Sequence, residues 1–208
     1  YKVRLRSAPS GAGPKIIGFD AAGVVSAVGP DAAAIFKVGD GVYYAGAINR
    51  QGSNAERQAV DARIVGRKPS SLDWADAAAL PLTAITAWEM LFDRLDVRRA
   101  VPGAAKAILI IGGAGGVGSI AIQLARKLTD FTVIATASRP VTVTWCQEMG
   151  AHHVVDHSKP LAPQIAALGL GAPGFVFCTS NAQPYAQDIA TFIAPQGRLG
   201  LIADGLDM

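Results

Sequence analysis

Cysteine is scarce in this chain. Only Cys146 and Cys178 occur among 208 residues, far apart and without a metal-type spacing, so a cysteine metal cluster is excluded and a reducing, cytoplasmic compartment is the expectation. Charge is also sparse, at 17% of residues with a formal net charge of +3. No run of Lys or Arg appears, so nucleic acid is not implied, while the mild positive balance suits an anionic ligand. No apolar stretch approaches the roughly 18 residues of a membrane span, and no signal peptide is visible. What is abundant is apolar side chain: half of the chain is hydrophobic, as in an α/β protein with a large core. The length allows one large domain, or one plus part of another. The chain opens Tyr1-Lys2-Val3-Arg4 without an initiator Met and stops just after an apolar strand-like run, so it reads as a fragment.

Residues up to about Lys68 read as short strands and turns. Ile16–Gly18, Ala22–Gly29, Val42–Tyr44 and Arg57–Val60 carry the strand signals, with turns at Gly39-Asp40 and Gly46. Ser70 with Asp73 is a capping-box candidate for an Ala-rich helix. Pro81 suits the first turn of a second helix reaching about Leu95, and residues 98–106 read as a linker. Strands and helices then alternate. The strands are 107–111, 131–137, 153–155, 175–178 and 198–202; the helices are 117–128, 141–149, 163–168 and 183–193. That alternation predicts an α/β fold with a parallel, doubly wound sheet. Residues 1–70, 71–106 and 107–208 are accordingly expected to be a partial β domain, connecting helices, and a dinucleotide-binding domain.

The chemistry is concentrated between Ala107 and Ala121. An apolar run leads into Gly112-Gly113-Ala114-Gly115-Gly116-Val117-Gly118 and then a helix with Val117, Ile120, Ala121, Leu124 and Leu128 on one face. Gly113, Gly115 and Gly118 form G-x-G-x-x-G in the strand–turn–helix setting a dinucleotide needs. Gly113 is expected to permit the tight turn, Gly115 to let backbone approach a pyrophosphate, and Gly118 to let helix pack on strand. Gly116 and Val117 open the helix, whose N-terminus offers free N–H groups and a positive dipole end.

NAD-binding versions of this fold carry an acid at the end of the second strand, for the ribose hydroxyls. Here that position reads Ser138-Arg139, a hydroxyl and a guanidinium that suit a 2′-phosphate, so NADPH is the expected cofactor. A solvated helix-start Arg is the plain alternative. His157, after strand 153–155, is either an adenine-side contact or a surface histidine. His152 and His153 point to opposite faces of a strand and make poor joint metal ligands. Trp88 and Trp145 read as core or helix-packing aromatics.

Four segments together resemble medium-chain dehydrogenase/reductases, in particular the quinone oxidoreductase and zinc-type alcohol dehydrogenase-like branch. They are Gly18–Val25, Gly39–Tyr43, Ala79–Trp88 and Gly112–Gly118. The resemblance covers nearly the whole chain. It implies part of a GroES-like β domain before a Rossmann domain, with an active site between them. Zinc-using members bind the metal through a Cys, a His in Gly-His-Glu, and a further Cys or acid. Here the motif reads Gly18-Phe19-Asp20, the later position falls near Leu80-Pro81-Leu82, and residues 43–60 contain no cysteine for a structural zinc. No metal is therefore expected. The resemblance further implies that Thr86, and more weakly Thr83, lies beside the nicotinamide. Cys178-Thr179-Ser180 follows the fourth strand at the carboxyl edge of the sheet, where ligands bind, and Ile202-Ala203 follows the fifth in similar relation to the nicotinamide. Tyr43 and Tyr44 are weak candidates for a proton donor. The expected activity is hydride transfer from NADPH to a quinone or an activated alkene or carbonyl. A zinc-dependent alcohol dehydrogenase and a non-catalytic NADPH-binding protein are the alternatives. The expected partner is a small-molecule electron acceptor, with no nucleic acid or membrane. The free sheet edge beside the last strand is one that in this family often pairs across a homodimer.

Overall fold

The computed structural model describes residues 15–202, which fall into two compact units parting between Leu82 and Thr83. The first unit holds an antiparallel sheet ordered β1 (Asp20–Val24), β2 (Gly41–Ala45), β3 (Val65–Arg67). In β2, Val42 and Tyr44 are buried while Gly41, Tyr43 and Ala45 are half-buried, the alternation of a one-sided strand. Tyr43 pairs with Gly66, and its ring fills the missing side chain: a Cβ on Gly66 would lie 2.7 Å from Tyr43 Cε1.

Four local expectations shift here. Ile16–Gly18 is not a strand, and the strand expected at 22–29 lies at β1 instead. Arg57–Val60 is irregular, because the Gln58 amide donates to the Gln51 carbonyl and accepts from Tyr44, tying this stretch down by side chain rather than ladder; the third strand forms at Val65–Arg67. Helix α1 (Trp74–Ala79) is capped by Asp73, whose carboxylate accepts from Asp76 N at 2.7 Å, so Ser70 is not the cap.

Pro81 does open helix α2 (Pro81–Trp88), which runs into a π-helical turn, Glu89–Arg94, closed by a bond from Leu95 N to Met90 O. The second unit is built on a parallel sheet of strands β4 (Ala105–Ile111), β5 (Thr132–Thr136), β6 (His153–Val155), β7 (Pro173–Cys178) and β8 (Arg198–Leu201), ordered β6-β5-β4-β7-β8. Helices α3 (Gly116–Leu128), α4 (Pro140–Glu148), α5 (Leu161–Ala167) and α6 (Ala186–Phe192) connect them. This is the doubly wound Rossmann-type architecture expected. The order reverses between β4 and β7, which makes their carboxyl ends the switch point where such sheets bind ligands.

The strand period sorts the core into two faces. Ile108, Ile110, Val133, Ala135, Phe175 and Phe177 pack with Ala121, Ile122 and Ala125 of α3 and Cys146 of α4. Leu109, Ile111, Ile134 and Val176 face the other way, onto Leu161 and Ile165 of α5 and Ile189 and Phe192 of α6. The inner face of α3 differs from expectation. Gly118, Ala121, Ile122 and Ala125 are buried, Val117, Ile120 and Leu124 only half so, and Leu128 is 52% exposed. Small residues face the sheet because the helix lies close against it. No helix among the described residues is long and apolar enough to cross a membrane.

Candidate functional site

Strand β4 ends at Ile111 and the chain reverses at Gly112, whose φ of +80° belongs to the left-handed region. The turn is clamped from both flanking strands. The Gly112 amide donates to Thr136 Oγ1 on β5 at 3.0 Å, and Thr179 after β7 donates through Oγ1 to Ile111 O at 2.9 Å and to Gly112 O at 3.3 Å. Gly113 was expected to permit the turn, but it has no positive φ. It is glycine because a Cβ there would lie 2.8 Å from Ala135 Cβ and 3.0 Å from Cys146 Sγ.

Gly118 has the expected packing role, since its Cβ would stand 2.3 Å from Gly112 O and 2.8 Å from Gly113 Cα. Gly115 differs. A Cβ there meets only Gly112 O, at 3.4 Å, and otherwise faces open space. Gly115 is also the N-cap of α3, with no side-chain cap bond and no acidic residue in the first turn. The first-turn amides, at Gly116 and Val117, therefore have no side-chain acceptor, and Arg126 and Lys127 complement the dipole at the far end. An open backbone cradle with unoccupied donors at the N-terminus of a 13-residue helix fits a pyrophosphate. Gly116 lies against α2: its Cβ would be 3.0 Å from Thr83 Cγ2. Thr86 is half-buried on the same helix.

Ser138 and Arg139 are exposed just past β5. The Arg139 backbone is held by Thr142, whose hydroxyl accepts from Arg139 N at 3.2 Å and donates to Arg139 O at 2.8 Å, and Pro140 starts α4. No carboxylate of the described residues pairs with its guanidinium. β6 runs parallel to β5, and an Ala137 N to Val155 O bond extends the ladder, so His157 emerges beside Ser138. His157 Nδ1 lies 3.1 Å from Thr136 Oγ1.

Thr136 escaped the sequence reading, and Thr179 was placed only at the carboxyl edge after the strand, without a part in the glycine turn. The one signal for that part was a hydroxyl residue closing an apolar strand run. Cys178 itself is wholly buried, with its thiol on Ser180 O and its acidity weakened by burial; Thr179 is the strand-end residue that reaches the glycine turn. Ile202, at the end of β8, is half-buried. Trp88 and Trp145 are not core, being 44% and 43% exposed; the Trp145 indole donates to Ser119 Oγ at 2.8 Å. Trp145 also lines a groove of about 440 Å³ between Ala114 of the glycine turn and Val141, Thr142, Thr144 and Glu148 of α4.

In the first unit, the Tyr44 hydroxyl donates to Gln58 Oε1 at 2.5 Å, and burial raises its pKa, so it is a poor proton donor. Tyr43 is half-buried against Gly66. Asp20 of the Gly18-Phe19-Asp20 motif accepts from Leu82 N at 2.7 Å, serving the first turn of α2. Among the described residues no three His, Cys, Asp or Glu side chains form a group that could hold a metal.

Residues 116–206 match the family model of zinc-binding dehydrogenases. A zinc-type alcohol dehydrogenase-like protein of Staphylococcus aureus is 43% identical over 190 residues, 91% of this chain and 56% of its own length. The chloroplastic NADPH-dependent alkenal/one oxidoreductase of Arabidopsis thaliana is 37% identical over 70% of this chain and 38% of its own. A solved structure from Rhizobium etli CFN 42, described as a candidate zinc-dependent alcohol dehydrogenase, superposes with a TM-score of 0.94 at 66% identity, over 99% of this chain and 59% of that one. The chain thus spans little more than half the length of the Staphylococcus aureus and Rhizobium etli relatives.

Proposed function

Starting from the medium-chain dehydrogenase/reductase superfamily, to which this chain belongs, we propose that it is the coenzyme-binding part of an NADPH-dependent reductase. The acceptor is a quinone or an activated alkene or carbonyl, reduced without a catalytic zinc, in a reducing, cytoplasmic setting. The first unit is read as part of a GroES-like domain, and the β8 side of the sheet as the side where a homodimer would pair. The observation that carries the coenzyme reading is the pairing of an open, uncapped glycine turn with Ser138 and Arg139 at the end of β5, where no acid stands.

The residues divide the work. Gly115 admits the pyrophosphate, and the Gly116, Val117 and Gly118 amides with the α3 dipole would hold it. Arg139 supplies parallel donors to a 2′-phosphate, with Ser138 beside it, where a carboxylate would repel it. Thr86 and Thr83 on α2, with the strand ends at Cys178–Thr179 and Ile202, are the candidates for the nicotinamide side. Bound NADPH supplies the hydride, and the protein's part is to position the acceptor against it. The proton that completes the reduction comes from water or from Tyr43, since Tyr44 is engaged by Gln58.

The zinc-free reading rests on donor chemistry. Phe19 cannot ligate, and Leu80-Pro81-Leu82, near the later ligand position, offers no Cys. The match to zinc-binding dehydrogenases lies on residues 116–206, the coenzyme half. An acceptor that takes hydride at carbon while its oxygen takes charge fits a site with amides, hydroxyls and water but no Lewis acid. The alkenal/one oxidoreductase among its relatives favours the same class.

The test is a fluorescence titration with NADPH and with NADH. NADPH is expected to bind at least tenfold more tightly, and Arg139→Ala to erase the difference (about one charge-assisted bond or more). Equal affinities would remove Arg139 as the selector; absence of binding by either coenzyme would overturn the reading. A quinone and enone panel, with metal analysis of the active protein, then separates this activity from zinc-dependent alcohol oxidation.

A further inference from the structure

We propose that Thr136 is a positioning residue that locks His157 in its Nε2–H form, so that the imidazole presents a fixed N–H donor at the carboxyl end of β5. The inference rests on the coenzyme reading for its ligand, an oxygen of the adenosine ribose 2′-phosphate. The lock itself rests on hydrogen-bond accounting alone.

Thr136 is 1% exposed, so every polar hydrogen on it must find a partner within the fold. Its hydroxyl oxygen accepts the Gly112 amide at 3.0 Å, and that amide can only donate. The hydroxyl hydrogen then needs an acceptor, and the one the described residues offer is His157 Nδ1, at 3.1 Å. Nδ1 must therefore be bare, and the ring hydrogen must sit on Nε2. The reverse arrangement, with Nδ1–H pointing at Oγ1, would leave the threonine hydrogen buried without an acceptor.

The carboxylate of the preceding residue does not disturb this. Asp156 accepts from Ser158 N at 2.9 Å and from Ser158 Oγ at 2.7 Å, with Lys159 Nζ at 3.5 Å, and it makes no bond to the imidazole. One buried hydroxyl thus serves two parts of the site. It pins the glycine turn, helped by the Gly113 N to Thr136 O bond at 3.1 Å, and it aims His157. This works because β5 lies between β4 and β6 in the sheet, so its last side chain can touch the loops after both neighbours.

The experiment is nitrogen NMR of the imidazoles of the whole chain, with His157 assigned by His157→Gln, together with NADPH titrations of Thr136→Val and Thr136→Ser. The wild type is expected to show a bare Nδ1 and a protonated Nε2 on His157 before any coenzyme is added. Thr136→Val should lose that tautomer preference and bind NADPH about tenfold more weakly, the size of one hydrogen bond. Thr136→Ser, which keeps the hydroxyl, should restore both. A dominant Nδ1–H form in the wild type would overturn the lock. The Nε2–H form with unaltered NADPH affinity in Thr136→Val would overturn its role in binding. Failure of the coenzyme reading registers separately, as absence of NADPH binding by the wild type whatever its tautomer.

Discussion

Two glycine-built turns in this chain share a left-handed glycine and differ in what they leave open. At Gly18, with φ +108°, the backbone donors of the facing segment, Gly52 to Asn54, are all used. Gly52 N bonds Ile16 O, Ser53 N bonds Gly18 O, Asn54 N bonds Ile17 O, and Ser53 Oγ bonds Asp20 O. A Cβ on Gly18 would strike Asn54 Oδ1 at 2.5 Å. At Gly112 the turn is clamped as firmly, by Thr136 and Thr179, but the helix that follows begins without a side-chain cap and Gly115 faces space. Glycine density is therefore no sign of a site. The sign is a rigid turn that ends in unoccupied donors. Helix α1, capped by its own Asp73, and helix α2, whose Leu82 amide is taken by Asp20, show the closed alternative.

Substitutions at three positions sharpen or break this contrast. The largest effect is expected from Gly118→Ala, which sets a Cβ 2.3 Å from a backbone carbonyl. It should destabilise the chain by about 3 kcal/mol or more, seen as a lower urea midpoint, because backbone rather than a flexible side chain must move. A midpoint within error of the wild type would mean that the helix does not lie this close to the turn.

Gly115→Ala should leave the urea midpoint almost unchanged, since the φ of −76° suits alanine and the space is open. It should weaken NADPH binding by about tenfold or more, because the methyl group fills the cradle. Unaltered binding would place the pyrophosphate elsewhere.

The smallest effect belongs to the closed side. Asp20→Ala removes the acceptor of the Leu82 amide and should cost about 1 kcal/mol at neutral pH, as for a lost helix cap. Burial, the larger influence, holds the Asp20 carboxyl above its ordinary value, against the lowering effect of the Leu82 bond. The folded chain thus takes up this proton more readily than the unfolded one. Asp20 therefore favours folding at low pH, and that contribution is lost as pH rises through its folded value. Asp20→Asn, which keeps an acceptor without the charge, should flatten this dependence in unfolding curves taken between pH 3 and 7 (the range that brackets an ordinary carboxylate). A slope equal to the wild type would remove Asp20 as its source.

The sheet of the second unit was legible because its strands are buried on both faces and read as continuous apolar runs, such as Ala107–Ile111 and Phe175–Cys178. The first unit was less so. Its strands are short and one-sided, and a stretch with the right residue types, Arg57–Val60, was held by Gln58 side-chain bonds instead of a ladder. The glycine motif could be found, yet its members changed roles: Gly112 makes the turn and Gly113 the close packing.

By itself, the sequence determined the parallel α/β architecture, the position of the glycine turn, the start of α2 at Pro81, and the Ser138-Arg139 pair where an acid would otherwise stand. These are local matters of periodicity, backbone freedom and charge. Only the tertiary structure decided that Thr136 and Thr179 clamp the turn, that Cys178 is sealed away, and that His157 rests on Thr136. The reason is strand order. β5 and β7 flank β4 although Thr179 lies 68 residues from Ile111, and a hydroxyl's partner is set by which strands are neighbours, which no local pattern encodes.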